Sequence, residues 1–176
     1  TIDDKTPTAA EEIWDGLDTT TSGRVGAVGS SGVLNYVNTF GGVTFNGAMK
    51  KGSGTSNSDG SSSASGEGSG WDFALTTDGS MLGIDGLALG VGYGEIEAGQ
   101  TASTAGDNGD TTNMTGFVNY SIGPVTIGYQ ESTEDVGGNG GASQYSNRWG
   151  VAFNINENLS VSYGEAETEF AKPSDT

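Results

Sequence analysis

One seven-residue pattern occurs three times in the chain, and this repeat restricts the possible folds more than any other feature. It reads LGVGYGE at 89–95, VTIGYQE at 125–131 and LSVSYGE at 159–165. In each copy the odd positions hold two aliphatic residues, Tyr and Glu, and the even positions hold only Gly, Ser, Thr or Gln. Because side chains alternate between the two faces of a β-strand, each copy predicts a strand with one bulky face and one sparse face. The three tyrosines are 36 and 34 residues apart, so a whole hairpin is repeated.

The sparse face indicates which solvent each side of the strands meets. A water-soluble β-sandwich usually carries long charged side chains on its polar face, and these strands carry small ones. Large apolar side chains that alternate with small polar ones, with an aromatic residue near the strand end, are typical of a barrel with lipid outside and water inside. The predicted fold class is therefore an all-β, antiparallel, up-and-down transmembrane β-barrel. A soluble β-sandwich is the alternative.

Composition excludes several classes of function. The chain has no Cys and no His, which removes disulfides, thiolate metal sites and the commonest general base. With 23 acidic and 6 basic residues its net charge is −17, which argues against nucleic acid as a partner. No apolar run approaches the about 20 residues that a spanning helix needs. If the chain crosses a bilayer, it does so as a barrel.

The pattern of strands and loops predicts two parts of the chain. Residues 33–176 form the barrel wall, with about eight strands that are joined alternately by short turns and by long polar loops. The long loops are predicted at 50–70, 99–112 and 132–144. Short turns on one edge and long loops on the other are typical of outer-membrane barrels. Residues 1–32 differ from the wall and form an acidic segment that contains Asp3, Asp4, Glu11, Glu12, Asp15 and Asp18.

The chain resembles a Gram-negative general porin, most closely the alphaproteobacterial type. The resemblance rests on the stretch NYVNTFGGVT at 35–44 and on the up-strands that end in Tyr. It implies that residues 1–32 belong to the inward-folded loop that narrows the channel. Porins of this family have sixteen strands and end on a terminal aromatic residue, whereas eight strands are predicted here and the chain stops at 170–176 in what reads as another loop. The resemblance therefore implies an internal fragment of a porin.

Three groups of residues are predicted to carry the function. At the pore constriction, Arg148 either solvates in a wide lumen or faces the acidic residues of segment 1–32 and sets up a transverse field. The inner side of the wall is predicted to include Asn46, Asn119, Thr126 and Asn154, with Thr44, Thr115, Ser121, Ser160 and Ser162. The aromatic girdle is predicted at Tyr93, Tyr129, Trp149 and Tyr163.

Glu95, Glu131 and Glu165 follow the girdle tyrosines at the same outward position. Plain solvation is one interpretation of these carboxylates. Binding of Ca²⁺ that bridges to lipopolysaccharide is the other, since hard cations prefer carboxylate oxygens. No cofactor is required on either interpretation.

The predicted function is a channel in the outer membrane of a Gram-negative bacterium. It would pass small hydrophilic solutes and ions by diffusion, with a weak preference for cations, and it would catalyse no reaction. Its expected partners are the lipid bilayer, lipopolysaccharide and, as the resemblance implies, two further copies in a homotrimer. The alternative function is that of a secreted or surface-attached β-sandwich that binds glycan or Ca²⁺.

Overall fold

A computed structural model describes residues 33–52, 69–97, 110–137 and 143–171. Apart from one 3-10 turn at Ser80–Leu82, the regular elements in these ranges are strands. None of the helical structure in this part of the chain is long and apolar enough to cross a membrane. The strands are β1 Val33–Phe40, β2 Val43–Lys50, β3 Gly70–Thr77, β4 Leu87–Ile96, β5 Thr111–Ile122, β6 Val125–Val136, β7 Gln144–Asn156 and β8 Leu159–Phe170.

The eight strands form one sheet in which each strand pairs with the next one along the chain. The order is β1 to β8 without a crossover, and every pair is antiparallel. The up-and-down all-β meander predicted from the repeat is thereby confirmed. The sheet is open among the described residues, because β1 and β8 are its edges and do not pair with each other.

The turns at one edge of the sheet are short because their residues suit tight reversals. Gly41 and Gly42 join β1 to β2 with φ angles of 57° and 87°, the left-handed backbone that glycine adopts without strain in a two-residue hairpin. The longer connection from β3 to β4 begins at Asp78, whose carboxylate accepts a bond from the Ser80 amide at 3.0 Å. The Ser80 hydroxyl and this amide lower the pKa of Asp78.

The strands extend further towards the long-loop edge than the alternation predicted. β6 continues to Val136, so residues 132–136 belong to a strand and not to the third loop. Other strand residues that were predicted to lie in loops are Lys50, Gly70, Thr111, Thr112 and Gln144. The physical reason is that backbone pairing continues where the outward side chains become polar, so the apolar signal ends before the hydrogen-bonded ladder does. The predicted acidic segment 1–32 lies outside the described residues.

The register of the sheet gives the inclination of its strands. One row of paired outward residues passes through Val43, Leu89, Tyr129 and Glu165. Val43 is the first residue of β2. Leu89 lies two residues after the start of β4, Tyr129 four after the start of β6, and Glu165 six after the start of β8. The row therefore climbs one residue per strand. A strand rises about 3.4 Å per residue, and neighbouring strands are about 4.8 Å apart. If the short turns lie at one level, the strands are therefore inclined by about 35° from the perpendicular to the short-turn edge, as in transmembrane barrels.

Burial is inverted relative to a water-soluble protein. Among the described residues the buried hydrophobic core consists of Ala74 alone, whereas seven buried residues are polar or charged. The bulky face of the repeated strands is exposed: Val91, Ile127 and Val161 expose 54%, 51% and 49% of their side chains. A sheet with a wet outer face would not leave such a contiguous apolar surface uncovered. Its polar face is the inner one, and its apolar face is suited to lipid.

One aromatic residue lies on the polar inner face instead of the apolar outer face. Phe117 lies on the inner face of β5, opposite Gly90 of β4 and Gln130 of β6. A Cβ atom at Gly90 would lie 2.6 Å from Cε1 of Phe117 and 2.8 Å from Cγ2 of Thr76. Glycine at position 90 is therefore what allows the ring to lie flat against the inner wall.

We expect a charge to be costly on the outer face and tolerated on the inner face at the same depth. Val118→Arg places a guanidinium on the lipid side and should lower the free energy of unfolding in lipid vesicles by about 2–4 kcal/mol. The control is Asn119→Arg, whose side chain points inward beside Ala88 and Gly128. Denaturant titrations should show a smaller loss for the control, and equal losses would contradict the assignment of the two faces.

We expect two of the strand glycines in β4 and β5, Gly90 and Gly116, to respond in opposite ways to alanine. Gly90→Ala collides with Phe117 and should destabilise the sheet by about 1–3 kcal/mol, the usual cost of overpacking. Gly116→Ala should be neutral or stabilising by about 0.4–1 kcal/mol, because its Cβ would meet nothing closer than Cγ1 of Val91 at 3.8 Å. Equilibrium unfolding of both variants is the measurement. A Gly90→Ala protein as stable as the wild type would refute the inward position of the ring.

Candidate pore wall

The centre of the inner face is a buried polar patch formed by four strands. Its seven members have side chains at most 6% exposed and share the inward register of β3, β5, β6 and β7: Asp72, Asn113, Thr115, Gln130, Ser132, Ser146 and Arg148. The patch is therefore a defined hydrophilic surface and not a set of stray polar residues.

The Thr115 hydroxyl joins three hydrogen bonds in this patch. It donates to the Glu131 carbonyl at 2.9 Å. Since a hydroxyl has one proton, its oxygen accepts from its other two neighbours, the Ser132 hydroxyl at 2.8 Å and Nε2 of Gln130 at 3.2 Å. The donor and both lone pairs of Thr115 are used, which fixes three side chains of the wall across β5 and β6.

The patch contains charges of both signs. Arg148, the predicted constriction residue of the wall, is 5% exposed and lies between Gln130 and Ala166 in the register. The acidic residues predicted to face it, at positions 3–18, lie outside the described residues. Asp72, at 2% exposed, is a second inward charge.

Sequence reasoning missed several members of the patch although a signal was present. Asp72 occupies the position between Trp71 and Phe73, so the same alternation that turns the two rings outward turns the carboxylate inward. Gln130 is the single long side chain at an even position of the three repeats. The same parity applies to Asn113, Ser132 and Ser146. Of these, Ser132 was concealed because the third loop was predicted to begin at residue 132, whereas β6 continues to Val136.

The residues predicted to line the inside lie on the same face as the patch. Asn46, Asn119 and Thr126 are half-buried, and Asn154 is exposed beside the short turn between β7 and β8. The Thr126 hydroxyl shares a hydrogen bond of 3.0 Å with the Ser121 hydroxyl. The inner wall thus remains hydrophilic from the central patch to the short-turn edge.

The residues predicted as an aromatic girdle all lie on the outer face. Tyr129 and Trp149 are directly opposite each other, and the Trp149 ring lies 5.5 Å from that of Tyr163. Tyr93 packs 5.4 Å from Trp71. These rings combine an apolar body with a polar tip, which suits the boundary between hydrocarbon and headgroups. Their role at that boundary remains a prediction.

The three glutamates predicted as a possible Ca²⁺ site are not brought together. Glu95, Glu131 and Glu165 lie on β4, β6 and β8, with a whole strand between each two. In the described part of the chain, no three acidic side chains are grouped so that they could hold a metal ion. Oε1 of Glu131 instead accepts two hydrogen bonds, from the hydroxyls of Tyr129 at 2.7 Å and Tyr145 at 2.5 Å.

Comparison with known proteins gives the same reading as the geometry. The model of the family described as Gram-negative porin matches residues 1–176. The curated proteins contain no match. Porins are channels rather than enzymes, and they lie in the outer membrane. A single antiparallel meander with an apolar exterior and a polar interior is what such a wall requires. The chain therefore belongs to the Gram-negative porin family, and its place is the bacterial outer membrane.

Proposed function

We propose that the channel passes small hydrophilic solutes and ions by passive diffusion, with a weak preference for cations. The observation that carries this proposal is the inverted burial of the sheet: among the residues that the structure describes, the inner face holds seven buried polar residues and a single buried hydrophobic one. Towards the short-turn edge the polar side chains of the same face are partly or fully exposed, as at Asn119, Thr126 and Asn154, so they can offer hydrogen bonds to water and to solutes, and no chemical step is needed for transport.

The selectivity follows from the charges near the inner wall. Asp72 and Arg148 are opposite in sign and both lie in the buried patch, so their effects on a passing ion largely offset each other. The acidic residues of segment 1–32, with Asp3, Asp4, Glu11, Glu12, Asp15 and Asp18, would tip the balance towards cations. Charges on the long loops contribute less, because salt screens them beyond about 10 Å.

We also propose partners for the outer face of the sheet. Its exposed apolar surface suits acyl chains, and its tyrosines suit the headgroup region, which includes lipopolysaccharide on the long-loop side. A homotrimer is part of the proposal on the strength of the family alone. Binding of Ca²⁺ at single carboxylates such as Glu95 or Glu165 is also proposed, since these lie on the outer face directly opposite Trp71 and Trp149.

Ion selectivity should respond in opposite directions to the two inner-wall charges. Asp72→Asn should lower the ratio of cation to anion permeability, and Arg148→Gln should raise it. The change should be about two- to threefold in each case, because a unit charge about 7 Å from an ion in water contributes about 0.6 kcal/mol. The reversal potential across a planar bilayer with a salt gradient measures the ratio.

The matched control for these variants is Glu157→Gln, which removes an acidic charge from the exposed turn between β7 and β8. It should leave the permeability ratio unchanged. The selectivity mechanism would be refuted if the inner-wall variants shifted the ratio no more than this control does. Absence of any conductance in the wild-type protein would refute the channel itself.

A further inference from the structure

Phe117 places an aromatic ring on a wall of small side chains. Among the described residues at the inward positions of β2 to β7 it is the one aromatic side chain, and its neighbours across the strands are Gly90 and Gln130. The next inward residues on those strands include Gly92 and Gly128. Both of these glycines are buried, whereas Phe117 is half-buried. The ring is therefore the largest partly exposed apolar group on this part of the inner wall.

The ring packs against the backbone of the neighbouring strand. A Cβ atom at Gly90 would lie 2.6 Å from Cε1 of Phe117 and 2.8 Å from Cγ2 of Thr76, so both side chains border the space above this glycine. Contact with the strand covers part of the ring, and another part remains exposed. Water beside this apolar surface is released when a solute covers the ring, which favours binding.

Neutral polar groups flank the ring on the same face of the sheet. Asn119 lies two residues further along β5, about 7 Å from Phe117 along the strand, and Thr76 lies across Gly90 on β3. Both side chains are half-buried. An amide supplies donors and an acceptor, and a hydroxyl can serve as either. A flat apolar ring between such groups fits a solute that has one apolar face and hydroxyls around its edge.

The nearest charge disfavours a cation over the ring. Aromatic faces also bind cations, so a cation is the competing occupant. Among the inward positions of the described strands, the charged residue closest to Phe117 in the register is Arg148, which lies in the same row beyond Gln130. Two strand spacings put it about 10 Å away. A guanidinium at this distance repels a cation, whereas a neutral solute experiences no such repulsion.

We propose that Phe117 is a stacking platform for neutral sugars in the pyranose form. This inference rests on the proposed function, because a water-filled lumen is what brings solutes to the ring. In a pyranose such as β-glucose the axial C–H groups make an apolar face, and the hydroxyls project around the edge. The C–H face covers the Phe117 ring, and the hydroxyls exchange hydrogen bonds with Asn119 and Thr76. A hydrophilic solute without a ring has no such face and is not retained.

The test is the KCl conductance of single channels in planar bilayers, with glucose or sorbitol added at equal concentrations. Sorbitol has the carbon number and nearly the size of glucose but no ring, so it reports the effects of viscosity and excluded volume. We expect glucose to lower the conductance saturably and by more than sorbitol does. In Phe117→Leu the glucose concentration for half of the effect should rise about fivefold, as expected when about 40 Å² of apolar surface is no longer buried.

Two further variants serve as controls. Phe117→Tyr keeps the ring face and should respond to glucose as the wild type does. Val37→Ser removes an inward apolar side chain from β1, four strands away from β5 in the sheet. It should leave both the conductance and the response to glucose unchanged.

The comparison of the two solutes on the wild type needs no variant, so it decides the question even if Phe117→Leu does not fold. Equal effects of glucose and sorbitol on a wild-type channel that conducts KCl would overturn the platform and leave the diffusion channel intact. An unchanged glucose response in Phe117→Leu would also overturn the platform. Absence of KCl conductance would refute the channel and the platform together.

Discussion

The structure depends on the strict alternation of side chains along paired strands. A strand alone offers two narrow rows of side chains. When eight strands pair in one register, these rows merge into two continuous surfaces, one apolar and one polar. Neighbouring strands pair along their length, with one register break at Asn154–Asn156, and such pairing of backbone donors and acceptors is the condition for crossing hydrocarbon with extended chain. The inclination of about 35° that follows from the register is the geometry that such a sheet needs in order to close into a barrel.

The alternation also explains what was predictable from the sequence. The number and order of the strands, the Gly41–Gly42 turn and the outward positions of Tyr129 and Trp149 follow from period two and from turn chemistry, which are local properties. The ends of the strands near the long loops do not. There Thr133 and Asp135 face outward on β6, and polar outward residues look like loop residues unless their pairing partners are known.

Other features were unpredictable because they depend on contacts between strands. Phe117 interrupts the small-residue face, and only the register shows that Gly90 lies opposite to receive its ring. The bond from Tyr145 to Glu131 joins residues 14 apart in the sequence across β6 and β7. Gly116 resembles any other strand glycine until the side chains of β4 and β6 are placed around it. Local periodicity predicts faces, whereas the packing of side chains across strands requires the whole sheet.

In this sheet the bulky face meets lipid and the sparse face meets water. A nitroxide scan measures this most directly, and the absence of native cysteine makes single-cysteine labelling specific. We would label residues 159–166 of β8 one at a time in lipid vesicles and measure collision with oxygen, which concentrates in lipid, and with a water-soluble nickel complex. We expect both accessibilities to alternate with period two and in opposite phase, with oxygen highest at Val161 and Tyr163. Accessibilities that rise and fall together, or outward positions that neither reagent reaches, would contradict this assignment of the two faces.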